Sequence, residues 1–291
     1  MSIAKPDYTH LTADGVLRLA INALGQVSQT PRLDAELIVM AVSRLSREQL
    51  IMHAQEPLNN EQHRCVRALV ERRLAGEPIA YLVGKREFWS MELLVSPAAL
   101  IPRPETEVLV EQALRRIPPR GEQTVADMGT GCGAVALALA RERPHCRVIA
   151  TDNAASALAL ARKNAERLNV TNIEFRLGHW AAPLAGEIVD VAVSNPPYVP
   201  TDDPCLNTGE ASFEPLAARA GGPDGLDAIR ELVKDAGTCL RIGTWLLLEH
   251  GHDQAQRVRT LMQSYGFTKT RSYSDFAGLE RVTRSQLTKK L

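Results

Sequence analysis

The sequence has few cysteines, no excess of either charge and no long hydrophobic stretch, and each of these excludes a class of protein. Its five cysteines form no C-x-x-C pair, so we expect neither a disulfide framework nor a zinc site, and we predict a reducing compartment. Lysine plus arginine number 34, as do aspartate plus glutamate, so the formal net charge is zero. The balance also holds in residues 1–100 and 101–291 taken separately, which argues against a nucleic-acid partner.

No apolar stretch is long enough to cross a bilayer, and the first residues, M-S-I-A-K-P-D-Y, contain no signal-peptide core. We therefore expect a cytoplasmic protein that binds no membrane. We also expect no metal, since His250 and His252 in E-H-G-H have no third ligand nearby and are expected to be structural. With 291 residues, 45% of them hydrophobic, the chain can bury a large core in one or two domains.

The first of two regions of different texture covers residues 11–84, where apolar residues recur at helical spacing. Prolines, asparagines and a glycine punctuate this pattern, which predicts a small helical bundle. Arg72 and Arg73 are expected on a solvated helix face. The predicted buried stripe of the helix in R-L-D-A-E-L-I-V-M-A-V consists of Leu33, Leu37 and Met40 or Ala41.

The second region follows a predicted hairpin connector and a helix capped near Thr106, after which strand and helix signals alternate. The predicted strands are 124–128, 147–151, 173–177, 188–193 and 245–249. The predicted helices are 108–116, 134–142, 155–168 and 226–240. Such alternation indicates an α/β fold with a mostly parallel, Rossmann-like sheet and helices on both faces.

The stretch T-V-A-D-M-G-T-G-C-G contains the first candidate ligand-binding motif. A strand ends at Asp127, and Gly129, Gly131 and Gly133 follow before a helix begins. In a parallel sheet this turn lies at the carboxyl edge, where glycines allow a ligand to approach the backbone. The spacing is G-x-G-x-G, whereas pyrophosphate binders use G-x-G-x-x-G. Tight packing of strand against helix is an alternative explanation for the glycines.

Asp152 ends the next strand, V-I-A-T-D, roughly where an acidic residue would bind the ribose hydroxyls of an adenosine. The same carboxylate could instead cap the helix that starts at 154 or 155, and both roles can hold together. Together with the glycine turn, this aspartate predicts a cofactor that contains a nucleoside.

A further strand, V-D-V-A-V-S, runs directly into Asn195, Pro196, Pro197 and Tyr198. The two prolines fix φ and remove two N–H donors, yet leave their carbonyls free as acceptors. With the Asn195 side-chain oxygen, this corner offers converging acceptors to a planar NH2 group on which Tyr198 could stack. The alternative is a simple turn that ends the strand.

D-M-G-T-G-C-G, the strand end at Asp152 and S-N-P-P-Y together resemble class I S-adenosylmethionine-dependent methyltransferases that modify planar exocyclic or amide nitrogens. Within that class, nearly the whole chain is similar to the release factor glutamine N5-methyltransferase family. The motifs that carry the similarity are G-E-P-I-A-Y-L-V-G-K-R-E-F-W, L-I-P-R-P-E-T-E, F-E-P-L-A, G-G-P-D-G-L, L-L-L-E-H-G and E-R-V-T. The L-I-P-R-P-E-T-E connector is far more specific than N-P-P-Y, which DNA adenine methyltransferases share.

The resemblance implies a helical substrate-recognition domain at 1–85, a hairpin connector at 86–105 and a methyltransferase domain at 106–291. Its implied substrate is the glutamine of the Gly-Gly-Gln tripeptide in class I release factors, and we expect the enzyme to be a monomer. The residues implied to hold S-adenosylmethionine are Gly129, Thr130, Gly131, Cys132, Gly133, Asp152, Trp180 and Asn195. Those implied to bind the glutamine are Asn195, Pro196, Pro197 and Tyr198, of which Asn195, Pro196 and Tyr198 are expected to be catalytic.

One position departs from the family pattern, which commonly has an acidic residue before the tryptophan where this chain has His179. A carboxylate contact to the adenine amino group is therefore not expected from this position. Cys132 lies in the glycine turn, but no His–Asp arrangement suggests a nucleophile, so its small side chain is expected only to fill the turn. Arg103 and Glu105 are candidates for the substrate entrance or for a connector ion pair.

Three other functions fit the motifs less well. A glutamine methyltransferase of a ribosomal protein would lack a reason for the R-P-E-T-E connector. A nucleobase amino methyltransferase would be expected to carry positive charge. A binding module with a vestigial nucleotide fold would not need both the glycine turn and N-P-P-Y, and calorimetry with S-adenosylmethionine would distinguish it from the enzymes.

Overall fold

A computed structural model describes residues 11–290, which form two compact units. The helical unit extends to Gly84 and includes Gly209–Phe213, and the sheet unit comprises Lys85–Thr208 and Glu214–Leu291. No helix within the described range is both long and apolar enough to span a membrane. The N-terminal segment in which no signal peptide was predicted lies outside the described residues.

Five short helices build the helical unit around a core that includes Val16, Ile38 and Val66. Side chains define where several helices begin: the Ser46 and Asn59 side chains each form a capping box with a glutamine three residues later. The helices are α1 (Ala13–Leu24), α2 (Pro31–Ser43), α3 (Arg47–Met52), α4 (Asn60–Leu74) and α5 (Ile79–Val83).

One prediction for this unit is wrong, and another is confirmed for Arg72, which is exposed, but wrong for Arg73. Helix α2 buries Ala35, Ile38 and Val39 rather than the predicted stripe, and Leu33 is 46% exposed. Apolar residues lie on several sides of α2, so spacing alone did not identify the packed side. Arg73 is buried at 6% exposure, with Nε 2.8 Å from Asp34 Oδ2 and Nη2 2.5 Å from Glu210 Oε1. Since its partners are 39 and 137 residues away, local sequence gave no sign of this ion-pair network.

The sheet unit begins with the hairpin β1 (Lys85–Phe88) and β2 (Met91–Leu94), whose two turn residues have positive φ. Strands and helices then alternate. The strands are β3 (Thr124–Met128), β4 (Arg147–Asp152), β5 (Ile173–Leu177), β6 (Val191–Ser194), β7 (Trp245–Glu249), β8 (Phe267–Ser274) and β9 (Glu280–Leu287). The helices are α6 (Glu107–Leu114), α7 (Ala134–Glu142), α8 (Ala155–Arg167), α9 (Asp227–Cys239) and α10 (Ala255–Ser264).

The seven-stranded sheet has the order β5-β4-β3-β6-β7-β9-β8. Strands β3 to β7 are parallel, whereas β9 pairs antiparallel with both β7 and β8. The predicted mostly parallel α/β fold is confirmed, but α10, β8 and β9 were not predicted. Strand order reverses between β3 and β6, which creates a crevice at the carboxyl ends of these strands, where open α/β sheets bind ligands.

The core has one part on each face of the sheet. On one face, Leu109 of α6 and Leu137 of α7 belong to a buried cluster that also includes residues of the hairpin. On the other, Ile229 of α9 and Val258 of α10 pack with Met128 and Leu248. Because helices cover both faces, the loops at the strand ends are the part of this unit that is free to form a site.

Candidate active site

A cavity opens at the carboxyl ends of β3, β4 and the strand that leads to Asn195, and it lies entirely within the sheet unit. Eight predicted site residues line it: Gly129, Thr130, Gly131, Cys132, Asp152, Trp180, Asn195 and Pro197. Gly133, Pro196 and Tyr198 are not among its lining residues. The cofactor candidates and two members of the N-P-P-Y corner, up to 68 positions apart in sequence, therefore line one cavity.

A buried carboxylate, that of Asp127, stabilises the glycine turn through hydrogen bonds. Asp127 Oδ2 accepts hydrogen bonds from the Thr130 hydroxyl at 2.7 Å and from the Ala136 backbone N–H at 3.1 Å. Burial raises the pKa of the Asp127 carboxyl to about 7. The turn glycines adopt φ values of +75°, +57° and +88° at Gly129, Gly131 and Gly133, which side chains with a Cβ rarely adopt.

The three glycines serve different purposes. A Cβ on Gly129 would lie 3.3 Å from the Trp180 ring, next to the cavity. A Cβ on Gly133 would instead press on Leu137 and Ala161 at 3.1 and 3.2 Å, inside the packing of α7 against α8. The alternative of tight packing therefore describes Gly133, which does not line the cavity, while Gly129 and Gly131 do.

Of the two roles considered for Asp152, the structure shows the contact at the start of α8. Its Oδ1 accepts from the Ala154 N–H at 2.9 Å, just before α8, and its Oδ2 accepts from the Gly131 N–H at 2.9 Å. The carboxylate thus joins the start of α8 to the glycine turn. Each oxygen keeps a further lone pair, and the residue lines the cavity, so it can also accept from ligand hydroxyls.

Trp180 and His179 both face the cavity and share one carboxylate on α9. The Trp180 indole N–H donates to Glu231 Oε2 at 3.1 Å, and His179 Nε2 lies 3.0 Å from Glu231 Oε1. The hydrogen bonds from His179 and Trp180 lower the pKa of Glu231. At the position where the family commonly has an acidic residue, this chain therefore has a histidine paired with a carboxylate from another element.

The N-P-P-Y corner is anchored by contacts that the sequence did not indicate. Asn195 Nδ2 donates to the Thr106 hydroxyl oxygen at 3.2 Å, and the Tyr198 hydroxyl donates to Glu249 Oε1 at 3.2 Å. Thr106 was expected to cap α6, but its side chain makes no capping hydrogen bond. With its NH2 group on Thr106, the Asn195 carboxamide has its oxygen available to a ligand.

Glu249, whose carboxylate contacts this corner, is buried at 1% exposure. Burial raises the pKa of its carboxyl to about 7, while the hydroxyls of Thr106 and Tyr198 act in the opposite direction. Its second oxygen, Oε2, makes no full hydrogen bond with any described residue. The only signal in the sequence was an acidic residue at the end of an apolar strand, in L-L-L-E-H-G. Two residues further on, in the same loop, the exposed His252 makes no metal cluster within the described range.

The connector and the F-E-P-L-A motif meet at the wall of the cavity. The Arg103 Nη2 lies 2.6 Å from Glu214 Oε2, and the Ile101 N–H donates to Glu214 Oε1 at 3.2 Å. Arg103 lines the cavity together with Pro215 and neighbouring residues, whereas Glu105 does not. Arg103 thus lies at the cavity wall and forms an ion pair, but its partner is Glu214 of the F-E-P-L-A motif rather than a residue of the connector.

Comparisons with known proteins give the class of the protein. Residues 105–214 match the family described as methyltransferase small domain. A methyltransferase of known structure from Pyrococcus furiosus superimposes with a TM-score of 0.52 at 18% identity, covering 75% of this chain and 98% of its own. That likeness concerns the fold alone. The fold and the family match define the class: the protein is a methyltransferase with the Rossmann-like fold of enzymes that use S-adenosylmethionine.

The particular family follows from closer relatives. Residues 15–84 match the description PrmC N-terminal domain. The release factor glutamine methyltransferase of Coxiella burnetii is 47% identical over 89% of this chain and 93% of its own length. That of Escherichia coli K12 is 44% identical over 92% of this chain and 96% of its own length. The chain belongs to the release factor glutamine methyltransferase family.

Proposed function

We propose that the protein transfers a methyl group from S-adenosylmethionine to the side-chain amide nitrogen, N5, of the glutamine in the Gly-Gly-Gln tripeptide of class I release factors. The observation that carries the proposal is the shared cavity: Asn195 and Pro197 line it together with the glycine turn and Asp152. The names of the relatives favour a release factor over a ribosomal protein or a nucleobase as substrate.

S-adenosylmethionine fits the donors and spaces around the glycine turn. Gly129 and Gly131 leave room for a ligand against the backbone, and the Asp152 carboxylate has lone pairs for the ribose hydroxyls. Trp180, fixed by Glu231, offers a flat apolar ring for the adenine. When bound, S-adenosylmethionine supplies a methyl group activated by its sulfonium, and transfer to nitrogen leaves S-adenosylhomocysteine and one proton.

The chain's own part in the reaction is to position an unreactive nitrogen. The lone pair of a carboxamide nitrogen is delocalised into its carbonyl, so the nitrogen is a poor nucleophile. The Asn195 Oδ1 and the Pro196 carbonyl would each accept one hydrogen of the glutamine NH2 group, and Tyr198 would pack beside the amide. Both acceptors would also stabilise positive charge as it develops on the nitrogen. Positioning of this kind can account for most of the rate enhancement.

For recognition, we propose that the helical residues 1–85 bind the release factor and that the enzyme works as a monomer. The match of residues 15–84 to a domain named for this family supports a role shared with the relatives. Gel filtration of the enzyme alone and mixed with release factor tests both points. Removal of the helical residues should leave S-adenosylmethionine binding in place while greatly weakening the binding of release factor.

The central test is Asn195→Ala, assayed by mass spectrometry of release factor incubated with labelled S-adenosylmethionine. The wild-type enzyme should add 14 daltons to the Gly-Gly-Gln peptide, whereas the variant should transfer nothing measurable. Calorimetry should show that the variant still binds S-adenosylmethionine with an affinity near that of the wild type. Methylation of release factor by the variant at the wild-type rate would disprove the role of Asn195.

A further inference from the structure

Three arginines beside strands β7, β9 and β8 stack on two aromatic rings. The Cζ atoms of Arg116 and Arg284 lie 5.1 and 4.8 Å from the centroid of the Trp245 ring. The Cζ atom of Arg284 also lies 5.4 Å from the Tyr273 ring, and that of Arg271 lies 5.3 Å from the same ring. All four distances are within the range of a cation–π contact. We call these five residues the arginine patch.

The patch places like charges against each other. In the antiparallel pair of β8 and β9, Arg271 lies directly opposite Arg284, and like charges in such positions destabilise a sheet. Burial lowers the pKa of Arg284, and the positive charges of Arg116 and Arg271 act in the same direction, while Tyr273 acts in the opposite one. Neutral side chains could cover the two rings without this repulsion, so the repeated positive charge requires another explanation.

No acidic residue compensates these charges within the part of the chain that the structure describes. There, Arg116, Arg271 and Arg284 form no ion pair and no side-chain hydrogen bond, and the Nε atoms of Arg116 and Arg284 are buried without a partner. Arg281, on the same strand as Arg284, is by contrast paired with Asp275 at 2.9 Å. The patch is therefore a positive surface whose guanidinium groups are available to an external anion.

This local charge differs from the balance of the whole chain. Lys269 lies beside the patch, with its Nζ 5.9 Å from the Trp245 ring, so a lysine joins the three arginines. The formal net charge of zero argued against a nucleic-acid partner, but it is a sum over all 291 residues and does not describe one surface. Concentrated positive charge attracts anionic polymers even on a protein that is neutral as a whole.

We propose that the arginine patch binds the phosphate backbone of a single nucleic-acid strand. Neighbouring strands lie about 4.8 Å apart, so Arg271 and Arg284 are side by side, and Arg116 lies beyond them at the Trp245 ring. Every nucleotide of a nucleic-acid strand carries a phosphate, whereas a protein segment needs several successive acidic residues to match such a row. Each guanidinium can donate two parallel hydrogen bonds to one phosphate.

The patch is separate from the methyl-transfer site. None of its residues lines the cavity, and Trp245 begins β7 at the edge of the sheet opposite to the cavity. Because its donors match phosphates, which carry no sequence information, binding should not depend on the base sequence. The proposal therefore adds a binding partner rather than a substrate, and it does not rest on the proposed function.

The first measurement is the fluorescence anisotropy of a labelled uridine oligonucleotide of about 12 nucleotides, without release factor or S-adenosylmethionine. If each arginine contacts one phosphate, log affinity plotted against log salt concentration should have a slope of about −2. The triple variant Arg116→Gln, Arg271→Gln, Arg284→Gln should bind at least about tenfold more weakly at low salt, with a slope closer to zero. DNA of the same length should bind like RNA, because the phosphates are the same. Equal affinities of the wild type and the triple variant would overturn the proposal.

A matched control removes the same number of charges from arginines that already have acidic partners. Three exposed arginines of the helical unit each pair with an acidic residue four positions away: Arg18, Arg32 and Arg67. The variant Arg18→Gln, Arg32→Gln, Arg67→Gln loses the same net charge and should keep the wild-type affinity and slope. If both triple variants bind equally weakly, only the net charge matters, and the patch is not a site.

A single substitution at an exposed position separates binding from folding, and it remains informative if the triple variant does not fold. Arg271→Glu places a carboxylate directly opposite Arg284, so an ion pair replaces a repulsion. We expect the melting temperature to stay the same or rise, while the affinity for the oligonucleotide falls at least about tenfold because Arg284 is then neutralised. A lower melting temperature with unchanged affinity would show that these arginines only cover the sheet.

The alternative partner is an acidic surface of the release factor. In that case the triple variant of the patch would have a raised KM for release factor and an unchanged affinity for the oligonucleotide, which would overturn the proposal. We expect the reverse, with kcat and KM of methylation near the wild-type values and the oligonucleotide affinity lost. The anisotropy assay contains neither substrate nor cofactor. A wild-type enzyme that binds the oligonucleotide but does not methylate release factor would therefore refute the proposed function and support the patch.

Discussion

Asn164 in α8 supports the glycine turn and the hairpin at the same time, and its removal should weaken both. Its Oδ1 accepts from the Leu94 N–H at 2.7 Å, and its Nδ2 donates to the Leu94 carbonyl at 3.0 Å and to the Cys132 carbonyl at 2.9 Å. With respect to β2, the carboxamide thus acts as the peptide group of a neighbouring strand would. The residue is 1% exposed, so water cannot replace it without rearrangement.

The magnitude follows from the groups left without partners in Asn164→Ala. The N–H and carbonyl of Leu94, which are partly buried, and the buried carbonyl of Cys132 each lose a hydrogen bond, at about 1–3 kcal/mol for each unsatisfied group, with the carbonyls near the lower end. Alanine recovers about 0.5 kcal/mol through its higher helix propensity. We therefore expect the free energy of unfolding to fall by about 3–4 kcal/mol. The melting temperature should drop by about 6–16 °C in a unit of this size.

Urea unfolding followed by circular dichroism measures the loss of stability, and calorimetry measures the affinity for S-adenosylmethionine. Because the Cys132 carbonyl belongs to the glycine turn, we expect a loss of about tenfold in affinity, or 1.4 kcal/mol. Asn172→Ala is the matched control: Asn172 Nδ2 donates to the carbonyls of Ala140, Arg143 and Cys146 at 2.9–3.2 Å, away from the cavity. This control should lose stability but keep its affinity. The role of Asn164 in both stability and binding is disproved if Asn164→Ala is as stable as the wild type, or if both variants lose affinity equally.

Two further predictions concern the glycine turn. The pKa of Asp127 is raised from 3.8 to about 7, so the folded protein holds a proton that the unfolded chain has lost between these values. Asp127 therefore makes a contribution to the free energy of unfolding that decreases as pH rises from about 4 to about 7, in the same direction as Glu249, and Asp127→Asn should remove this contribution. Urea titrations from pH 4.5 to 8 check this, and a difference between variant and wild type that does not change with pH would contradict it. Gly129→Ala would place a Cβ 3.3 Å from the Trp180 ring at a φ of +75°. This change should cost about 1–2 kcal/mol in stability and weaken S-adenosylmethionine binding more than tenfold, as measured by calorimetry. Unchanged affinity would show that Gly129 does not contact the ligand.

The parallel part of the sheet could be predicted because its strands are buried on both sides and read as short apolar runs between helices. The last two strands could not. Strand β8, F-T-K-T-R-S-Y-S, buries only Phe267 fully, and β9 buries Thr283 and Ser285 as well as Val282 and Leu287. Their inward residues are partly polar, so apolar alternation is absent even though both strands belong to the sheet.

For the site, the motifs that we propose to contact a ligand were visible in the sequence, while the groups that support them were not. The glycine turn, Asp152 and Asn195 lie in short segments whose residue types already indicate their chemistry. The contact of Glu249 with the N-P-P-Y corner depends instead on the register of β6 against β7, which pairs residues 54 positions apart. Similarly, Glu231 reaches Trp180 from a helix 51 residues later. Register and helix placement result from packing, which no local pattern specifies.

The N-P-P-Y corner also explains why G-G-P-D-G-L occurs in the same chain. Two successive prolines provide no N–H groups, so their own backbone can form hydrogen bonds only through its carbonyls. The Tyr198 carbonyl accepts from Gln254 Nε2 at 2.9 Å, and a Cβ on Gly225 would lie 2.4 Å from that carbonyl oxygen. A Cβ on Gly221 would lie 2.7 Å from the Pro197 carbonyl oxygen. The glycines are needed because the corner is packed against their backbone, and a rigid amide clamp in this fold therefore requires both motifs.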